Sequence, residues 1–285
     1  MDAVQIERSS ESKQTLTAVG LTLAAMISIQ LGAAISKPIM QQLGTFGTTF
    51  VRLSFAAIIL LIWIRPSFRS YNRSQWLSAF SLGASMAFMT MCFFAAIETI
   101  PLGLAVAIEF MGPLLVATLY GSGRFRLICP MIAAAGIICL TSGSSLWGND
   151  MTGMLFAFCA AIGWGAYIIL TKRAGEKFHG LEGLAVSMMF AALVALPVGT
   201  GQLYTNFSTE AFIMAGLLAL LTPLIPYAFE FMALRNLKPS AFGILVSLEP
   251  AIGATVGFLM LHQALSIVQI AGIALVIAAS VISTR

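Results

Sequence analysis

Three carboxylates fall where the surrounding sequence is apolar. Glu109 stands in IPLGLAVAIEFMGPL, residues 100–114, four residues ahead of Pro113. Glu249 stands in GILVSLEPAIGATVGF, residues 243–258, beside Pro250. Glu230 stands in LIPYAFEF, with Tyr227 one helical turn before it and Pro223 and Pro226 upstream. A proline cannot donate to the carbonyl four residues back, so Pro113 frees the carbonyl of Glu109 and Pro250 that of Val246. An acid beside a free carbonyl can bind a cation or carry a proton. The alternative is a structural carboxyl bonded to a neighbouring helix. Glu230 has two readings as well, an inner gate or a tie to Arg235.

Other polar and aromatic residues complete the set. Lys37 and Arg52 fall near the outer ends of the first two apolar runs. Either one pairs with Glu109 as an outer gate or both extend to the interface, as long basic side chains do. Trp164 and Tyr167 share a helix face, and Gly163 and Gly165 beside the tryptophan admit another backbone. That face lines a pocket or packs in the core. Enzyme chemistry finds little support. No aspartate lies within an apolar run, and the two histidines, His179 and His262, fall in connections on opposite sides. No phosphate-binding loop and no channel-filter motif occurs, and no metal or other cofactor is expected. The four cysteines form no CxxC pair and read as small apolar filler.

The elements that position these groups follow from composition. The 285 residues are 59% hydrophobic and 9% charged, against about 25% charged in a soluble domain. Such a chain cannot cover itself with polar surface. Spans in lipid must satisfy every backbone group internally, and continuous apolar runs do so as helices. The expected fold is all-α and integral to the membrane, with ten transmembrane helices at about 16–39, 47–64, 76–97, 102–120, 127–146, 152–171, 181–200, 210–233, 239–260 and 265–283. Residues 1–15 read as a cytoplasmic tail.

Thirteen of the fifteen Lys and Arg residues fall in the tail, at the chain end or in alternate connections, and the opposite connections hold none. By the positive-inside rule both termini are cytoplasmic. The basic connections are too short and too poor in aromatics for nucleic acid. The expected partners are lipid, a small-molecule substrate and protons.

Ten spans divide into two fives. Lys37 and Lys172 are 135 residues apart, Pro113 and Pro250 137, and Gly136 and Gly272 136. Residues 16–147 and 152–283 therefore read as two copies. An odd span count inverts the second copy, the plan of secondary transporters with a site at the midplane between halves.

At this point the chain resembles a known family over residues 20–285, in SIQLGAAISKPI, IPLGLAVAIEFMGPLLVA, IPYAFEFMALRNL and AFGILVSLEPA. It is similar to the paired EamA repeats of the drug/metabolite transporter superfamily. Within it, the chain resembles exporters of small amino acids such as threonine and homoserine. The resemblance implies an inner-membrane exporter using the proton gradient, with Glu109, Glu230, Glu249, Tyr227 and Lys37 matching the pattern. One departure is visible: Gln263 stands where such repeats carry an acid. Export of other metabolites or drugs, uncoupled uniport, and a non-transporting membrane protein are the alternatives.

Overall fold

The computed structural model describes residues 2–120, 128–141, 150–236, 242 and 245–283. Twelve α-helices are named among them: α1 (Asp2–Leu43), α2 (Thr45–Ile64), α3 (Arg73–Thr99), α4 (Leu102–Glu109), α5 (Met111–Tyr120) and α6 (Ile128–Thr141), then α7 (Met151–Lys177), α8 (Glu182–Thr205), α9 (Thr209–Ala219), α10 (Ile225–Asn236), α11 (Glu249–Leu261) and α12 (Ile267–Ser283). Six helical stretches are long and apolar enough to cross a membrane, and four more apolar helices are shorter. No strand occurs among the described residues.

Helix α1 begins at Asp2, so the segment read as a tail continues the first span. The basic cluster Lys172, Arg173 and Lys177 also lies within α7 rather than in a connection. Both differences have one cause. Lys, Arg, Glu and Gln are good helix formers, so helices continue past the point where hydropathy falls.

Helix starts follow local chemistry. Asn72 and Gln75 form a reciprocal capping box at α3, the Asp150 side chain accepts from the N–H groups of Thr152 and Gly153, and Ser208 caps α9. The Asp150 carboxyl is held below its usual range chiefly by the Gly153 N–H. The single-residue turn between α1 and α2 is Gly44, at φ 77°, a left-handed conformation that suits glycine. The side-chain oxygen of Gln202, on α8, then accepts from the N–H groups of Phe46 and Gly47 at 2.7 and 3.1 Å, so one helix caps another.

The packing has a regular plan. Helix α2 lies on α8, α6 on α12, α4 on α11, α3 on both α7 and α8, and α1 on α10. Between α6 and α12 the backbones nearly touch. A Cβ on Gly136 would sit 2.7 Å from the Gly272 carbonyl oxygen, and one on Gly272 would sit 2.6 Å from that of Gly136. At the end of the bundle opposite Gly44, Tyr71 donates to Glu182 at 2.9 Å and packs edge-on against Phe178. Gln75 there donates to the Lys177 carbonyl. Burial, then the Glu182 contact, pushes the Tyr71 phenol up to about 12.

Candidate functional site: a buried acidic cavity

Two apolar helical stretches and the approach to a third are interrupted, and each supplies one acid. The first break is at Phe110, between α4 and α5, and leaves Glu109 as the last residue of α4. Helix α5 restarts at Met111 and places Pro113 in its first turn. The second break spans Leu220–Leu224, where Thr222 is non-helical at φ −158° and ψ 118°. Glu230 follows on α10. The third precedes α11, which starts at Glu249 with Pro250 in its first turn. A proline there loses nothing, because the first N–H groups of a helix have no intrahelical acceptor. Pro250 therefore marks a helix start, whereas Phe110 ahead of Pro113 keeps helical dihedrals and its carbonyl accepts from the Leu114 N–H, so the chain bends at Pro113 with the Glu109 carbonyl freed.

All three acids are buried, and all three border one cavity of about 50 Å³. Thr90 and Thr222, with Phe93, Phe94, Trp164 and Tyr227, complete its polar and aromatic wall. The sequence led to a site between the halves, with Glu109 also a partner for an outer gate and Glu230 an inner gate or a tie to Arg235. The structure brings both to the same cavity as Glu249.

Each acid has its own surroundings. Glu230 accepts from the Tyr167 hydroxyl at 2.9 Å. Tyr167 packs on Tyr227, ring centroids 5.4 Å apart, and the Tyr227 hydroxyl shares a 2.9 Å hydrogen bond with Thr90. Tyr167 is thus behind the wall, while Trp164 is in it, edge-on to Phe110. The tie to Arg235 lies outside the described side chains. Glu249 accepts from the Gln30 amide at 3.0 Å through Oε1. Its Oε2 and the Gln30 Oε1 are buried acceptors without a partner. Among the described residues no group of three His, Cys, Asp or Glu is arranged to hold a metal.

Arg52 neither pairs with Glu109 nor reaches an interface. It keeps 1% of its surface exposed. Its Nε donates to the Thr222 carbonyl at 2.9 Å, Nη2 to the Thr222 hydroxyl at 3.1 Å and Nη1 to the Ser36 hydroxyl at 3.0 Å. The Phe94 ring lies 4.2 Å from the guanidinium carbon. Proline chemistry explains the target. In a continuous helix the Thr222 carbonyl would accept from residue 226, but Pro226 has no N–H and Arg52 supplies the donor instead. Ser28 does the same for the Leu221 carbonyl at 2.6 Å. Pro223 removes the corresponding donor to Ala219.

Lys37 is elsewhere. It is half-buried and borders a separate pocket of about 610 Å³ with Thr99, His262, Gln263, Ser266 and Gln269. Gln263 accepts there from the Leu102 N–H at 3.2 Å and so caps α4. Sequence reasoning passed over Gln30, Thr90, Thr222, Ser28 and Ser36. The available signal was an amide in mid-span, Gln30, which has a buried polar cost of its own.

A bundle of membrane-length apolar helices, folded round a buried acidic cavity built at helix breaks, defines a membrane transporter. The model of the EamA-like transporter family matches residues 151–285. The threonine/homoserine exporter RhtA of Salmonella typhimurium is 35% identical over 264 residues, covering 92% of this chain and 89% of that protein. The exporter of the same name from Escherichia coli K12 is 34% identical over 266 residues, with 93% and 90% covered. The uncharacterized transporter YxxF of Bacillus subtilis is 24% identical, with 95% and 93% covered. A solved crystal structure aligns with a TM-score of 0.61 at 15% identity, over 93% of this chain and 97% of its own, which shows a shared fold. The chain belongs to the EamA-like transporter family, whose members here are transporters and not enzymes.

Proposed function

We propose that this chain is a secondary exporter of small amino acids such as threonine and homoserine, driven by proton antiport through alternating access. The observation that carries the reading is the meeting of Glu109, Glu230 and Glu249 at one cavity. One substrate ammonium uses part of that acidity, and a proton is the natural occupant of the rest. Glu249 and Glu109 serve ammonium and proton, while Tyr167 and Tyr227 orient Glu230. Trp164 shapes the cavity wall, and Lys37 gates the second pocket. The names of the similar exporters support the substrate class. The small acidic cavity favours a compact cation-bearing substrate over a bulky apolar drug.

The membrane arrangement belongs to the same proposal. Ten spans form two inverted repeats, 16–147 and 152–283, in the inner membrane with both termini cytoplasmic. Six long and four shorter apolar helices support the count. A shift of about 136 residues carries α1 to α7, α2 to α8, α3 to α9–α10, α4–α5 to α11 and α6 to α12. Under that shift the contact of α3 with α7 becomes that of α10 with α1, while α2 on α8, α4 on α11 and α6 on α12 map onto themselves. Both contact types are what a two-fold relation between halves requires.

The test is flux of labelled threonine and homoserine in proteoliposomes, with and without an imposed pH gradient. Saturable flux that follows the gradient is expected. Saturable flux indifferent to it makes the carrier a uniporter, and absence of flux removes this substrate class.

A further inference from the structure

Among the described residues, the cavity has Glu249 in its wall with Gln30 bonded behind it, and a buried cation without an acid partner just behind another part of the wall. Glu249 Oε2 and Gln30 Oε1, in hydrogen-bonded neighbours, are the unpartnered acceptors. The cation is Arg52, whose hydrogen bonds among the described residues include none to an acid. Two cavity-lining residues, Thr222 and Phe94, hold its guanidinium, so the charge lies one residue behind the lining. All three of its hydrogen bonds end on neutral oxygens. A buried guanidinium without a counter-charge is costly to keep, and three neutral acceptors and a ring face offset only part of that cost. A bond to the Thr222 carbonyl alone explains a donor at this place. A neutral amide or hydroxyl supplies such a donor without a charge.

We infer that Arg52 is the receptor for the carboxylate of an α-amino acid whose ammonium is held by Glu249 and Gln30. This rests on the amino-acid exporter reading above. A guanidinium carries five N–H donors, of which three are engaged here. The two that remain belong to Nη1 and Nη2. The Thr222 hydroxyl accepts from Nη2 and keeps its own hydrogen to donate. A carboxylate can therefore bind Arg52 and Thr222 while Nε stays on the Thr222 carbonyl and the broken span keeps its patch. At about 50 Å³ the cavity has room for one or two waters. An amino acid enters when the broken span carrying Thr222 moves away from Glu249, and its carboxylate then takes the widened place beside Arg52.

The experiment is competition against labelled threonine flux in proteoliposomes of the full chain. Competitors are unlabelled threonine, threonine amide and 1-amino-2-propanol; the last two keep the ammonium and side chain but lack the carboxylate. Wild type is expected to bind both analogues about 30-fold or more weakly than threonine, the size of one lost charge-assisted contact. Arg52→Gln is expected to reduce that preference to within about 3-fold, and Arg52→Lys to retain an intermediate one. Equal competition by acid and amide in wild type overturns the inference, with no variant needed. An unchanged preference in Arg52→Gln also overturns it. Should that variant not fold, wild-type selectivity and Arg52→Lys decide. Absence of any amino-acid flux in wild type overturns the exporter reading itself, whereas flux without carboxylate selectivity overturns Arg52 alone.

Discussion

Two pairs of apolar helices in this bundle solve opposite problems. Helices α6 and α12 run unbroken through their contact, and glycine brings the carbonyl of each against the backbone of the other. Helices α4 and α11 also lie on one another, but both border a break, and each presents an acid at the broken end. The first pair stays helical through its contact and gains by dispersion contact, the main attraction left when lipid is as apolar as the protein. The second pair ends at its breaks, where Pro113 leaves the Glu109 carbonyl without a helix donor and Gln263 caps the Leu102 N–H. Similar apolar composition thus yields a fixed seam and an adaptable one. The prolines and acids decide which is which.

That contrast can be tested in descending order of effect. Glu249→Gln keeps the Gln30 neighbourhood but removes the charge, and is expected to lower threonine flux about 100-fold, near 2.7 kcal/mol. The melting temperature in detergent should stay within a few degrees. If flux and its pH dependence survive in both Glu249→Gln and Glu109→Gln, the role assigned to the acids is wrong. Gly136→Val attacks the other seam. Its added atoms meet the Gly272 carbonyl, so it should destabilise the protein by about 1–3 kcal/mol and leave substrate preference intact. A flux defect without a stability defect would erase the distinction between the seams. Pro113→Ala gives the Glu109 carbonyl back its donor. We expect flux to fall about 10-fold with stability equal or higher, read by transport and thermal unfolding together.

The smallest effect belongs to the end opposite Gly44. Tyr71→Phe should cost about 1 kcal/mol or less, the usual worth of one partly exposed hydrogen bond. The sign of its pH dependence is fixed. The folded-state phenol titrates at about 12, above its unfolded value near 10, so its stabilisation is complete below pH 10 and fades as pH rises toward 12. Wild type and Tyr71→Phe should therefore converge in stability over that interval.

Much of this was legible because it breaks a pattern. Glu109, Glu230 and Glu249 stand out against apolar runs, and a proline within four residues of each marks an interrupted helix. A site between the halves holding Glu109 and Glu249 was legible; that Glu230 joins them in the same cavity was not, since depth counted along a straight helix ceases to apply after a break. Arg52 was read as a residue near an interface. Its acceptor is a carbonyl freed by Pro226, in a segment 170 residues away along the chain. No local spacing encodes such a contact. The Asp2–Gln14 stretch was read as a tail from polarity alone, although its helix formers carry α1 through it. Gln263 replaces an expected acid yet caps α4, a task its amide oxygen performs without charge.

The reciprocal contact of Gly136 and Gly272 has an ancestral consequence. Each residue meets the other's carbonyl at nearly the same distance, as identical patches do across the axis of a symmetric dimer. A surface that recognises itself needs no linker to assemble. If the proposed two-repeat plan holds, half of this chain made as a separate polypeptide would already possess a face able to meet its own copy, and the internal seam would correspond to a former interface between two chains. Cut between Thr141 and Asp150 and produced together, the two pieces should still find each other along that line of glycines.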